Sequence, residues 1–387
     1  MSSAAPRVVV AGLGDSGLLT ATHLARHVDV VGISAKPELV SGQELGLRLA
    51  RPDDWARDNR VAFERYRRLD GVRRLHGSLT GVDLDAREVT VRLADDNVVV
   101  EPYDVLVVST GVTNGFWRTG RLQSRDQIDA DVRERHETLA AAGSVLVVGG
   151  GAAAVSAAAN LRIRWPDKRV GLYYPGPRVV PSHHPRASAR VAAELGHLGV
   201  GLHPDHRAVV PDGFACDEIT HQPVRWSTGQ PAAEADAVLW AIGRVRPNTD
   251  WLPATLLDER GFVDVGPTLQ TRARPEVFAI GDVAATDPLR SSARNRADRL
   301  LAGNIRAHLA GRPLERYRAT RSRWGSVLGV QRDGLLFFAA DGRTVRIPAW
   351  LLDRVLLPLV VRRGYYGGVR RASRSGTLEA SARGQNR

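Results

Sequence analysis

Two turns of the same design constrain this chain more than anything else in it. The first is Gly12-Leu13-Gly14-Asp15-Ser16-Gly17, which follows the apolar run Val8-Val9-Val10-Ala11. The second is Gly149-Gly150-Gly151-Ala152-Ala153-Ala154, which follows Ser144-Val145-Leu146-Val147-Val148. Both lead into stretches rich in Ala and Leu. A G-x-G-x-x-G/A turn between a strand and a helix is a dinucleotide cradle. Gly12 and Gly149 let the turn close, and Gly14 and Gly151 let backbone N–H groups approach a pyrophosphate. Gly17 and Ala154 stay small so that helix and strand can pack. The helix N-terminus, from Ser16 or Ala152, then stabilises the phosphate charge. Two cradles imply two dinucleotides, and two dinucleotides face to face suggest a hydride relay.

At 387 residues the chain is too long for one compact core and should form two or three domains. It contains a single cysteine, Cys216, so neither a disulfide framework nor a C-x-x-C redox pair can exist within it. Cys216 reads as a bystander thiol in a polar loop. The start Met1-Ser2-Ser3-Ala4-Ala5-Pro6 has no charged n-region or apolar stretch, which reads as a cytoplasmic start. Ser2 excludes N-myristoylation. No run of about 18 apolar residues occurs, so no bilayer span is expected.

The net charge of +12 is unevenly placed. Residues 287–387 hold 21 Arg against 7 acids, whereas the rest of the chain is slightly acidic. An arginine-biased genome explains the scarcity of lysine, since only Lys36 and Lys168 occur. It does not explain why acids thin out at one end. Such asymmetry points to an anionic partner.

Apolar runs predict strands at Val8–Ala11, Val28–Ile33, Asp104–Ser109, Val170–Tyr174, Ala237–Ile242 and Val277–Ile280. The alternation over Arg87–Val100 predicts a β-hairpin. Helices are expected at Leu18–His27, Pro52–Leu69, Gln127–Ala142, Ala152–Ile163, Pro185–Leu198 and Ser291–Ala310. Residues from Arg370 onward are rich in Ser, Arg and Gly and read as disordered.

The order of motifs along the chain is cradle, Ser109-Thr110-Gly111, cradle, Ala241-Ile242-Gly243-Arg244-Val245-Arg246-Pro247-Asn248, and Val277-Phe278-Ala279-Ile280-Gly281-Asp282-Val283-Ala284. This order resembles the pyridine nucleotide–disulfide oxidoreductase superfamily over about residues 7–310. The resemblance implies an α/β fold of two Rossmann-like domains, one for FAD and one for NAD(P)H, the second inserted in the first. The implied boundaries are 1–120 and 251–318 for the FAD domain, 121–250 for the NAD(P)H domain and 319–369 for a small C-terminal α+β domain, followed by a tail, 370–387. Three segments look closer to the branch without a redox disulfide: Gly81-Val82-Asp83-Leu84, Trp165-Pro166-Asp167-Lys168-Arg169-Val170 and Gly311-Arg312-Pro313-Leu314-Glu315-Arg316-Tyr317. That branch holds the apoptosis-inducing-factor-like proteins, the ferroptosis suppressor quinone reductases and the type II NADH dehydrogenases. By resemblance, electrons pass from NAD(P)H through FAD to a quinone-like acceptor, and Asp282 bonds the FAD ribitol. The cofactor set implied also includes Arg48, Thr110, Gly111, Gly243 and Gly281.

The chain departs from the family at several positions. Where an acid would hold the FAD ribose stands Ser34, which implies weaker retention of FAD. Asp15 sits inside the first cradle, unfavourable for a pyrophosphate unless its side chain points to solvent. Ser156 stands where the family has a glutamate near the nicotinamide. After the strand of the second unit come Tyr174 and Pro175-Gly176-Pro177-Arg178, with no acid for a 2′-OH. Arg178 could pair with a 2′-phosphate, so NADPH is the expected donor and NADH the alternative. His183 and His184 have no ligand partner at metal spacing and read as a loop pair.

The apolar stretch Pro348–Arg363 is too short to span a bilayer. It reads either as an interfacial element, with Trp350 and the arginines at an anionic membrane surface on the inner face, or as a helix or strand packed on the FAD domain or at a homodimer contact. Pro358 should break a continuous helix there. Nucleic acid is not an expected partner, because no basic motif interleaved with aromatics occurs. Alternatives to the enzyme are a catalytically impaired nucleotide-binding signalling protein with a basic C-terminal surface, or a reductase of a small acidic carrier protein.

Overall fold

The computed structural model describes residues 5–115, 117–286, 296–319 and 321–370. Along the chain the main elements are β1 (Arg7–Ala11), α1 (Asp15–Leu24), β2 (Asp29–Ser34), α2 (Leu45–Ala50), β3 (Val72–Asp83), β4 (Glu88–Leu93), β5 (Val98–Pro102) and β6 (Val105–Val108). Next come α3 (Arg125–Ala141), β7 (Ser144–Val148), α4 (Ala152–Arg164), β8 (Arg169–Tyr173), α5 (Pro185–His197), β9 (Gly201–His203) and β10 (Ala237–Trp240). The last are β11 (Val277–Ala279), α6 (Ala297–Leu309), β12 (Gly334–Phe338) and β13 (Thr344–Pro348).

The first sheet runs β11-β6-β1-β2-β3-β4-β5. Its first five strands are parallel, and β4 and β5 fold back antiparallel on β3. Val8, Val9 and Val10 are wholly buried because β1 is central and covered on both faces. Val8 and Val10 pack with α1 and α6, and Val9 packs with Trp251, Leu252 and Val263 on the other face. The second sheet, β9-β8-β7-β10, is all parallel. The chain leaves the first unit after β6, builds the second, and returns to add β11. In each sheet the central strand has neighbours on both sides whose connections diverge, which leaves a crevice at its carboxyl end.

Ser124 opens α3 with a capping box, its hydroxyl accepting from Gln127 N at 3.2 Å while Gln127 Oε1 accepts from Ser124 N. The helix expected over Pro52–Leu69 is real only over Pro52–Asn59. Arg60–Ala62 is a strand paired with Glu38–Val40, and Phe63–Leu69 forms two tight turns. Trp55, Phe63, Tyr66 and Leu69 are all buried there, so tertiary burial overrides the helical pattern. The helix expected from Ser291 is seen as α6; residues 291–295 lie outside the described residues, as does the tail after Arg370.

The C-terminal segment joins both units. Val327, Leu328, Leu336 and Phe338 enter the core of the second, while Tyr365, Tyr366 and Val369 pack on the core of the first. Between them Ala349–Leu351 and Leu352–Tyr365 form one helical run that continues through Pro358. The expected break is absent because the run winds with i→i+5 hydrogen bonds. Tyr366 N donating to Val361 O is one of them. The wider turn relieves the clash between the proline ring and the preceding carbonyls.

Candidate functional site

The two cradles share one geometry. Gly12 has φ +106°, and a Cβ there would lie 2.5 Å from Ser109 O. Gly149 has φ +133°, and a Cβ there would lie 2.2 Å from Ala241 O. At each of these two positions only glycine avoids both the backbone strain and the clash. Gly17 must also be small, since its Cβ would lie 1.9 Å from Gly12 O. Ala154, wholly buried, occupies the equivalent place in the second cradle. By contrast, Gly14 and Gly151 face open space. They start α1 and α4 in extended conformation, with N–H groups of the first helical turn unpaired in the helix. Closed walls and one open glycine at a helix N-terminus fit a pyrophosphate in each cradle.

The segments that cross the cradles also correspond. Ser109-Thr110-Gly111 crosses the first and Ala241-Ile242-Gly243 crosses the second, and Gly111 and Gly243 both have positive φ. Ser109 Oγ donates to Gly12 O at 2.7 Å. Both segments then run into short strands, Val112–Thr113 and Arg246–Pro247, that pair antiparallel. Asn248 clasps the junction. Its N donates to Gly111 O, its Nδ2 donates to Thr110 O at 2.9 Å, and its Oδ1 accepts from Thr113 Oγ1 at 2.7 Å. Thr110 Oγ1 donates to Asn248 O at 2.8 Å. The S-T-G and R-P-N motifs are thus halves of one joint between the units.

The late motif returns to the first cradle. A Cβ on Gly281 would lie 3.2 Å from Ser16 Oγ. Asp282, part-buried, is paired with Arg118, whose NH2 also donates to Gly42 O at 3.2 Å. Sequence reasoning did not find Arg118, which lies 164 residues from Asp282 with no motif around it. The Arg118 Nε is buried and has no hydrogen-bond partner among the described residues. Asp15 does not simply point to solvent, as the cradle would require: it accepts from Ser41 Oγ at 2.8 Å and Gly42 N at 3.0 Å. These bonds draw its charge toward the segment before α2.

Ser34, at the end of β2, is buried, and its hydroxyl accepts from Lys36 N at 3.1 Å. The Lys36 ammonium donates to Arg121 O. Burial, then the charge of Arg121, lowers it from the ordinary lysine value to about 8. Arg48 lies nearby, donates to Trp117 O at 3.1 Å, and rests over the Trp55 ring. Burial lowers it to about 10. This end of the first unit is therefore cationic where the family resemblance would put an acid. Lys36 was legible as a residue type, but its burial was not.

In the second unit Ser156 is buried and its Oγ has no partner among the described residues. α2 lies directly on it: a Cβ on Gly46 would be 2.2 Å from Ser156 O. The two helices touch backbone to backbone, which leaves little room for a longer side chain at either position. One turn on, buried Asn160 donates to Ser156 O and Leu328 O. Tyr174 is buried beneath Gly150, so its ring is a floor of the cradle. Arg178 is exposed, and its backbone folds back over Gly150, where Val180 N donates to Gly150 O.

Tyr173 stacks between His203 at 4.0 Å and Trp226 at 5.0 Å, and His206 meets its ring edge-on at 5.2 Å, so both histidines have a packing role. His183 is buried, and His184 caps α5 by accepting from Arg186 N at 3.2 Å. No group of metal-ligating side chains occurs among the described residues. Cys216 is not in a polar setting. It is buried with Leu146, Val148 and Trp240, and burial pushes its thiol up.

These parts define a two-dinucleotide α/β protein. Residues 6–302 match the pyridine nucleotide-disulphide oxidoreductase family, and the chain belongs to it. Curated relatives include the oxidoreductase ptaL of Pestalotiopsis fici, 25% identical over 66% of this chain and 67% of ptaL. Another is the type II NADH:quinone oxidoreductase Ndh of Mycobacterium tuberculosis, 26% identical over 90% of this chain and 83% of Ndh. Among solved structures, reduced Bacillus anthracis CoADR-RHD superposes with a TM-score of 0.65 at 20% identity, covering 92% of this chain and 64% of that one. The chain spans only about half of two further relatives, the Fe-regulated protein 8 of Mycosarcoma maydis and the oxidoreductase OXR1 of Ajellomyces capsulatus.

Proposed function

We propose that the protein is an FAD-dependent NAD(P)H oxidoreductase that works without a redox disulfide and delivers electrons to a quinone-like small molecule. The first cradle would hold FAD and the second NAD(P)H. The observation that carries this reading is the joint at Asn248, which links the segments that cross the two cradles. FAD supplies the chemistry, accepting two electrons from a nicotinamide and releasing them to an acceptor. The protein's own residues bind and orient. Gly14 and Gly151 would admit the pyrophosphates, Asp282, paired with Arg118, would bond the FAD ribitol, and the contact of α2 with α4 fixes one unit against the other.

Arg178, exposed beside the second cradle with no acid at the end of β8, favours NADPH over NADH. The quinone is favoured by the mycobacterial relatives NdhA and Ndh, which are type II NADH:quinone oxidoreductases. No helix among the described residues is long and apolar enough to cross a membrane. The exposed Trp350, Leu359 and Val360, next to Arg354 and Arg363, suit peripheral contact with an anionic membrane surface.

An anaerobic absorbance spectrum tests the core of the reading. A flavin spectrum that bleaches with NADPH and recovers with a soluble quinone is expected. A flavin that no nucleotide bleaches would transfer weight to a nucleotide-binding protein without turnover, consistent with Ser156 and the cationic end of β2.

A further inference from the structure

Three tyrosines that no glycine motif includes cluster together beside the first unit's core. Tyr66, in the turns after Arg60–Ala62, is wholly buried, and its hydroxyl has no hydrogen-bond partner among the described residues. The Tyr366 ring packs edge-on against it at 5.3 Å, and Tyr365 packs edge-on against Tyr366 at 5.3 Å. Arg296, the residue before α6, lies over Tyr365 at 5.8 Å. The trio shares an apolar cluster with Leu13, a residue of the cradle itself. It also lies in the field of Asp15, the first residue of α1. Burial, then Asp15, pushes the hydroxyls of Tyr66 and Tyr366 up, so these phenols stay protonated donors across the working range. For Tyr365 the cause is again burial, followed by Asp298 and then Asp15. Asp15 and Asp298 are both in the first turns of their helices. The trio therefore stands where α1 and α6 begin, on the edge of the sheet that receives the ligand.

Two of the three tyrosines come from the chain's far end, and that end is tied down at several points. Arg362 pairs with Asp58 at 2.7 Å. Arg67 N donates to Gly368 O, and Arg370 N donates to Arg65 O. Tyr66 and Val369 form an antiparallel bridge. Arg370 grips Asp70 through two hydrogen bonds, at 2.9 and 2.5 Å, and donates to Glu64 O at 3.0 Å. Gly367 has φ +70°, and a Cβ there would lie 2.0 Å from Arg68 Nε, so the segment lies flush on the 58–70 region. This is far more fastening than packing two rings requires.

We propose that Tyr365 and Tyr366, backed by the buried Tyr66, form the outer wall of the FAD site, and that residues 362–370 are a strap holding FAD in place of the absent ribose-binding acid at Ser34. Tyr66, fully buried behind them, backs the two C-terminal rings, and the strap slows FAD escape rather than contributing to electron transfer. The inference rests on FAD in the first cradle.

The test is FAD release from the full-length holoprotein, followed by the rise of free-flavin fluorescence after dilution. Tyr366→Leu should release FAD about tenfold faster. Arg370→Ala should release it severalfold faster, with NAD(P)H affinity at the second cradle unchanged. The double variant Asp70→Arg with Arg370→Asp restores the pair and should recover slow release, which separates strap retention from a general loss of folding. Arg343→Ala, which breaks an ion pair with Asp341 away from the strap, should leave release unchanged. Release rates for Tyr366→Leu and Arg370→Ala within twofold of the parent would overturn the strap. Equal acceleration by Arg343→Ala would also overturn it. A parent protein that carries no flavin at all would instead overturn the reading of the first cradle.

Discussion

The two cradles are built alike and finished differently. Each has a glycine pressed against a crossing segment and a second glycine open to the ligand. The first is then enclosed by the Arg118–Asp282 pair, by the bonds of Asp15 to Ser41 and Gly42, and by the C-terminal tyrosines. Around the second, the described residues place an exposed Arg178 on a loop and a buried tyrosine as floor. The difference suits a cofactor that stays and a substrate that comes and goes. The shared part is turn geometry, and the unshared part is what the rest of the chain brings to it.

The largest effect should come from breaking one cradle at a time. Gly149→Val places branched carbons against Ala241 O at a φ only glycine tolerates. The variant should keep its flavin yet be reduced by NAD(P)H at least about a hundredfold more slowly, read by anaerobic stopped-flow absorbance. Gly12→Val should give the converse, a protein purified without flavin. If both variants lose flavin alike, the two cradles are not functionally separate.

The joint between the units comes next. Asn248→Ala removes one acceptor and one donor from a shielded junction and should cost about 1–3 kcal/mol in urea unfolding. Flavin release and tryptophan fluorescence should then report separate transitions. A single unchanged transition would mean that the contact of α2 with α4 carries the coupling by itself.

Donor choice is a smaller effect. Arg178→Ala should lower kcat/KM for NADPH about tenfold while leaving NADH within about twofold. An equal fall for both donors would place Arg178 on the pyrophosphate rather than on a 2′-phosphate.

The smallest effect is at the cationic end of β2. The folded state holds Lys36 at about 8, against 10.5 for the ordinary side chain. Between these values the unfolded chain binds a proton that the folded chain does not, so stability should rise with pH across that window. Below about pH 8 the half-buried ammonium carries a desolvation cost that its hydrogen bond to Arg121 O and the charge of Asp131 only partly offset. Lys36→Met should therefore stabilise the protein at pH 7 by about 1 kcal/mol and flatten the rise between pH 8 and 10.5, checked by urea unfolding across pH. An unchanged pH slope would show that the ammonium is better solvated than its burial implies.

The glycine turns and the parallel strands were legible because their constraints are local. Val8–Val10 and Val145–Val148 can only be buried strands, and the cradle glycines answer to clashes with the next crossing segment. The expectation for Pro52–Leu69 failed after Asn59, because Phe63, Tyr66 and Leu69 are drawn into the core in an irregular path. Pro358 failed in the other direction, since local chemistry predicts a break and a wider helical turn absorbs it. Cys216 stands in a loop as expected, yet its thiol is buried, because the loop folds over the second sheet.

By itself the sequence determined that two dinucleotides are held in two α/β units, because turn closure and strand burial depend on residues a few positions apart. Tertiary structure decided which distant residues complete each cleft: Arg118 for Asp282, Asn248 for Thr110, Gly46 for Ser156, Tyr366 for Tyr66. Such pairs cannot be read along the chain, since electrostatic pairing and close packing act through space and leave no periodic mark on the residues between.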